Sequence, residues 1–115
     1  MKKFVIVSHN QTSEFIRLNE VVLFQAEGSY TKIILINGRN LCFSKNLSWI
    51  EQNMECEYLF RLHRSFIIRS FIINMDYICK IKNNEDKIHM INKMEVPISR
   101  YRKKLFWNKV ENYNK

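Results

Sequence analysis

The chain has 115 residues, 46% hydrophobic and 26% charged, with only two glycines and one proline. That composition excludes disorder and low complexity, and the length suits one domain, 1–115, with a single core. Lys and Arg outnumber Asp and Glu by 19 to 11, a net charge of +8. The excess is one-sided: residues 1–60 hold six of each sign, whereas residues 61–115 hold 13 basic and five acidic. Such asymmetry points to a polyanionic partner, nucleic acid first and an anionic membrane surface second.

The three cysteines, Cys42, Cys56 and Cys79, are odd in number and show no CxxC spacing. They are expected to be reduced and buried as small hydrophobes. Residues 4–7 are too short for the apolar core of a signal peptide, and no run approaches the roughly 18 apolar residues of a membrane span. The expected location is cytoplasmic.

Residues 3–8 alternate weakly and open the chain as a strand, followed by a polar turn over 9–13 and a short strand over 14–18. Val21, Val22, Leu23 and Phe24 form a buried strand, ended by Gly28, which supplies a backbone angle that other residues resist. Residues 30–36 form a long strand. Asn37-Gly38 then signals a hairpin, with the return strand over 39–43. Ser44 is placed to cap a helix whose Leu47, Ile50 and Met54 recur at i, i+3 and i+7, with Trp49 widening the stripe.

The central stretch is residues 60–68. Phe60 and Leu62 alternate with Arg61 and His63, the period of a strand with one face in a core and the other outside. Arg64-Ser65-Phe66-Ile67-Ile68 is then repeated as Arg69-Ser70-Phe71-Ile72-Ile73. A shift of five residues swaps every side chain to the opposite face, so one copy is expected to pair in the sheet and the other to be displaced. Asn74, Met75 and Asp76 form a turn or one helical turn. Strands over 77–82, 87–91 and 94–98 follow, with Pro97 at an edge or strand end. Ser99 caps a final helix from about 100 to 110, with Leu105, Phe106 and Val110 inward and Arg100, Lys103, Lys104 and Trp107 on another face. The fold class is mostly β: eight to ten short antiparallel strands in small sheets, one internal helix and one C-terminal helix.

Two glycines cannot build a phosphate loop or a dinucleotide fingerprint. His9, His63 and His89 share no metal-ligand spacing with one another or with the cysteines. No nucleophile motif is present. The reading is therefore no enzyme, no metal and no cofactor. What remains is basic: His63-Arg64, the run from Arg100 to Lys104, and Lys80, Lys82 and Lys87 around a hairpin. Cations at a helix N-terminus oppose its dipole, a cost that reverses sign if a phosphate approaches. Arginine forks also suit guanine edges.

Four ordered segments, residues 21–31, 47–54, 60–67 closed by Asn74, and 96–102, resemble the LytTR DNA-binding domain of bacterial transcriptional regulators. The resemblance runs from about residue 13 to 110. It implies a mostly β fold and sequence-specific binding of double-stranded DNA by loops that enter successive major grooves. By position, the implied contact residues are Tyr30 and Lys32, then His63, Arg64 and Ser65, then Ser99, Arg100, Tyr101, Arg102, Lys103 and Lys104. His63 is read as structural rather than as a direct reader. The resemblance also implies direct-repeat promoter sites, and leaves open a homodimer on DNA and a membrane-protein inhibitor. The family usually carries one RSFII-like copy between the His and the Asn, where this chain has two. No receiver domain is expected, because only 12 residues precede Ser13 and none is an acidic phosphoacceptor. The alternative is a non-enzymatic interaction module docking an acidic protein or an anionic membrane.

Overall fold

A computed structural model describes residues 4–54, 56–62 and 70–115. Among the described residues ten strands and two α-helices follow one another: β1 (Phe4–His9), β2 (Thr12–Arg17), β3 (Val21–Glu27), β4 (Tyr30–Leu35), β5 (Asn40–Phe43), α1 (Leu47–Asn53), β6 (Leu59–Arg61), β7 (Phe71–Asn74), β8 (Ile78–Lys82), β9 (Lys87–Met90), β10 (Glu95–Pro97) and α2 (Arg100–Tyr113). They form three antiparallel sheets: β1-β2, β10-β9-β8, and a central β5-β4-β3-β7-β6.

The central sheet is buried on both faces, which is why β3 and β7 are near-continuous apolar runs rather than alternating ones. Along β7, Ile72 belongs to one core cluster and Phe71 and Ile73 to the other; along β4, Ile33 and Leu35 oppose Ile34. The first cluster packs under the β1–β2 hairpin and α1, through Val5, Val7, Ile16, Leu47 and Ile50. The second packs under the three-stranded sheet and α2, through Ile88, Met90, Val96 and Phe106. A register shift between Val21 and Leu23 leaves Val22 as an extra residue, so Val22 and Leu23 both join the second cluster.

The turns follow backbone chemistry. His9 pairs with Thr12 across Asn10 (φ 49) and Gln11 (φ 62), a two-residue turn with both central residues left-handed. The strand β2 therefore begins at Thr12, earlier than its apolar pattern suggests. Gly28 has φ +65 in the two-residue turn between β3 and β4. Asn37-Gly38 does make a hairpin. Its loop has three residues: the Gly38 amide donates to the Leu35 carbonyl (3.0 Å), the Leu35 amide to the Arg39 carbonyl (2.9 Å), and Gly38 sits at φ +93.

Several expectations need correction. The N-cap of α1 is Asn46, whose side chain accepts from the Trp49 amide at 2.9 Å; Ser44 stands two residues too early. Arg61 does not face outside. Its side chain is 12% exposed and reaches Ser48 and Glu51 of α1, because α1 covers that face of β6. Leu105 is 53% exposed; the inner stripe of α2 is Phe106, Val110 and Tyr113. Cys42 and Cys79 are exposed and only Cys56 is partly covered, since their places on half-covered strands outweigh their apolar character. Burial pushes the Cys56 thiol pKa up.

Of the duplicated pentapeptides, the second enters the sheet: Phe71, Ile72 and Ile73 pair with Gln25, Phe24 and Leu23. The first copy lies outside the described residues. Pro97 ends β10, an edge strand, as its missing donor requires. Asn74 is fully buried and satisfied on both sides: its Nδ2 donates to the Val21 carbonyl (3.0 Å) and its Oδ1 accepts from the Asp76 amide (2.9 Å). It thereby locks β7 to β3 and caps the single helical turn that follows.

Candidate nucleic-acid interface

Antiparallel pairing sends one end of β3, β4, β6 and β7 toward the same edge of the molecule. The β3–β4 turn lies there, and just before it the Ala26 amide of β3 donates to the Ser70 carbonyl at 2.9 Å. Leu62 leaves the sheet there too, its amide bonded to the Phe71 carbonyl. The segment from 63 to 69, with predicted site residues His63, Arg64 and Ser65, lies outside the described residues. Its two described flanks, Leu62 and Ser70, are at this end. Thr31 pairs with Phe43, so the loop after β5 also arrives here; the buried Thr31 hydroxyl donates to the Lys45 carbonyl at 2.7 Å. Lys45 is an exposed cation that sequence reasoning missed. Only the hairpin register, which no local pattern announces, could have brought its backbone to Thr31.

Tyr30 is 43% exposed at the first position of β4, and Lys32 is half-buried two residues on, hence on the same face. That face is the one α2 occupies, since Ile34 continues the series into the second core cluster. A cleft of about 310 Å³ opens beside them, lined by Glu27, Asn40, Leu41 and Cys42. Three strand spacings separate β4 from β6, about 14 Å at the usual spacing. α2 starts above β6.

Ser99 holds the N-cap position of α2 with extended backbone, but its hydroxyl makes no cap bond. The next five residues diverge. Arg102 turns inward: its Nε donates to the Arg61 carbonyl at 2.8 Å, and its guanidinium stands 5.0 Å from the centre of the Phe60 ring. Lys109, two turns on, donates to the Leu59 carbonyl at 2.7 Å over the same ring. β6 is an edge strand, so these two cations cover edge carbonyls that would otherwise invite another chain. Arg100 and Lys103 turn the other way, to Asp86 in the β8–β9 loop: 3.6 Å for Arg100 Nε and 2.5 Å for Lys103 Nζ. Lys103 also donates to the Asn83 carbonyl at 3.0 Å. Tyr101, 94% exposed, and Lys104 project into solvent.

Asp86 supplies the acid that the first turn of α2 lacks. Its left-handed backbone (φ 52) lets its own carbonyl accept from the Ile98 amide at 3.0 Å while the carboxylate faces the helix. The hydrogen bond from Lys103, above all, holds its pKa below the usual carboxylate range. The clasp also brings the β8–β9 cations to the same place: Lys82 pairs with Lys87 at the root of the loop. At its far end α2 is pinned by Tyr113, whose hydroxyl donates to Asp76 at 2.6 Å, and the phenol pKa is pushed up to about 12.

The described site residues thus fall on one end of the central sheet and on the adjoining start of α2. Among the described residues, no group of three or more His, Cys, Asp or Glu is placed to hold a metal ion. No described helix is long and apolar enough to cross a membrane.

Comparison with known proteins agrees with this architecture. No curated protein matches the sequence. A solved LytTr DNA-binding domain from Bacillus cereus superposes with a TM-score of 0.77, covering 96% of this chain and 98% of that one at 19% identity; it shares the fold. The model of the LytTr DNA-binding domain, a DNA-binding family and not a class of enzymes, matches residues 11–111, and the chain belongs to that family.

Proposed function

We propose that this chain is a transcriptional regulator that recognises duplex DNA sequence through the loops at one end of its central sheet and the first turn of α2. The observation that supports this reading is the convergence of Tyr30, Lys32, Lys45, Arg100, Lys103 and Lys104 there. The span of about 14 Å from β4 to β6 is close to the width of a major groove. A helix start with amides and cations facing out is suited to phosphate, and an arginine or tyrosine beside it is suited to base edges. The work is done in the cytoplasm, and direct-repeat sites fit a domain this small, which covers few base pairs alone.

Selection of bound sequences from a random duplex pool, followed by a salt titration on the winner, tests the reading. A preferred sequence should emerge, with log K falling by roughly 0.9 per neutralised phosphate for each decade of salt. Equal affinity for the winner and for random duplex would overturn sequence recognition. Retention on anionic vesicles with no duplex complex would favour a membrane-docking module instead.

A further inference from the structure

We propose that the cleft between α1, the open edge of β6 and α2 binds a small organic anion, a carboxylate or phosphate on an apolar body. The cleft has a volume of about 310 Å³, at the lower end of the range for small-ligand sites. Its inner wall is apolar: Ile50 and Met54 of α1, Ile72 of β7 and the Phe60 ring, all buried. Three cations line it as well, Arg61, Arg102 and Lys109. Among the described lining residues Glu51 is the one carboxylate, and it stands 3.7 Å from Arg61. Three cations against one anion leave two positive charges in excess around an apolar recess. That combination suits a ligand with one charged end and one greasy end.

The strand edge fixes the spacing of the charges. Arg102 Nε donates to the Arg61 carbonyl at 2.8 Å and Lys109 Nζ to the Leu59 carbonyl at 2.7 Å. Those carbonyls are two residues apart, about 7 Å along a strand. Both cations also stand over the Phe60 ring, at 5.0 and 5.9 Å from its centre. Two charge-assisted hydrogen bonds of about 2.8 Å cover most of the gap between them, and the paired oxygens of a carboxylate or phosphate supply the rest. The Lys109 ammonium has three protons and uses one on Leu59, so it can hold the strand and the ligand together. Size excludes a DNA phosphate as the source of the anion. Arg61 is only 12% exposed beneath α1, and Lys109 lies nine residues along α2 from Arg100, about 13 Å from the DNA-facing turn. A small molecule reaches those charges and a rigid duplex does not. Cys56 lines the same cleft, whereas Cys42 and Cys79 are exposed elsewhere.

The site stands or falls apart from the DNA-binding reading. Calorimetric titration of the full chain at fixed ionic strength, with octanoate, inorganic phosphate and uncharged octanol as probes, should show saturable binding of octanoate and much weaker binding of the other two. Octanoate should also raise the melting temperature and slow alkylation of Cys56 by iodoacetamide, read by peptide mapping, while Cys42 and Cys79 react as before. Lys109→Met keeps the apolar stem and removes the ammonium; it should weaken octanoate at least about tenfold. Glu51→Gln removes the opposing charge and should tighten octanoate several-fold, a change of the opposite sign that loss of folding cannot imitate. Octanol binding as well as octanoate, no saturable binding of any probe, or an affinity that neither variant moves would overturn the proposal. Protection of Cys56 by duplex alone would overturn it too, because the cleft would then belong to the DNA-covered surface.

Discussion

The two sides of α2 use the same residue types for opposite ends. On the inner side, Arg102 and Lys109 donate to backbone carbonyls of β6 and lie over the Phe60 ring. On the outer side, Arg100 and Lys103 meet Asp86, and Lys104 is exposed. Position 102 is set apart from its neighbours by the helical period alone: 102, 106, 109, 110 and 113 share one face. A run of cations is thus two devices. One closes a sheet edge, and the other clasps the β8–β9 loop and leaves Lys104 exposed. The lesson is that a basic run on a helix cannot be assigned as a unit.

The largest difference between the sides should appear in stability. Arg102→Ala removes a hydrogen bond to a strand carbonyl and a cation–π contact, together about 1–2 kcal/mol. It should lower the melting temperature by several degrees. Arg100→Ala, 90% exposed in its side chain, should leave it almost unchanged. Both are read by thermal denaturation alongside binding to a selected duplex. If Arg102→Ala melts like the wild type and loses only DNA binding, the inward assignment is wrong and the two sides are one surface.

A smaller effect, and a conditional one, belongs to Asp86. Its folded pKa is depressed, so the clasp contributes stability above the ordinary carboxylate pKa, and that contribution disappears as pH falls through the lower, folded value. The melting difference between wild type and Asp86→Asn should therefore be present at neutral pH and shrink below about pH 4. The same substitution removes a negative charge from the start of α2 and should tighten binding to random duplex at low salt. A difference that stays constant with pH would mean the clasp is not electrostatic.

Much of this architecture was legible because local chemistry and global fold agree. Gly28 at a positive φ, the apolar run from Val21 to Phe24, the helix through Leu47 and Ile50, and the cap position of Ser99 each follow from a few neighbouring residues. What was not legible depends on pairs distant in sequence. Arg61 reads as a solvent-facing residue until α1 is laid over it. Leu105 reads as core until Tyr113 and Arg102 fix the rotation of α2. The turns make the point most plainly. Asn37-Gly38 and Asn92-Lys93 build the same three-residue loop, each with an Asn side chain accepting from the amide two residues on, at 3.0 and 3.1 Å. In each, the third loop residue is left-handed, Gly38 at φ 93 and Lys93 at φ 73. Glycine announces that conformation and lysine conceals it, because the lysine is held there by its flanking strands rather than by its own preference.

Lys104 isolates the outward side most cleanly and has the smallest expected effect. It touches neither Asp86 nor β6 in the described contacts and is exposed on the first turn of α2. Its loss should leave the stability within about half a kcal/mol of wild type. A cation that serves only to meet phosphate acts through counterion release, without regard to base sequence. Lys104→Ala should then weaken selected and random duplexes by the same factor and lower the salt slope by roughly 0.9. An unchanged slope would mean the outer side of α2 does not face the phosphates, and a loss confined to the selected sequence would make Lys104 a reader of bases, erasing the division between charge offered and charge spent.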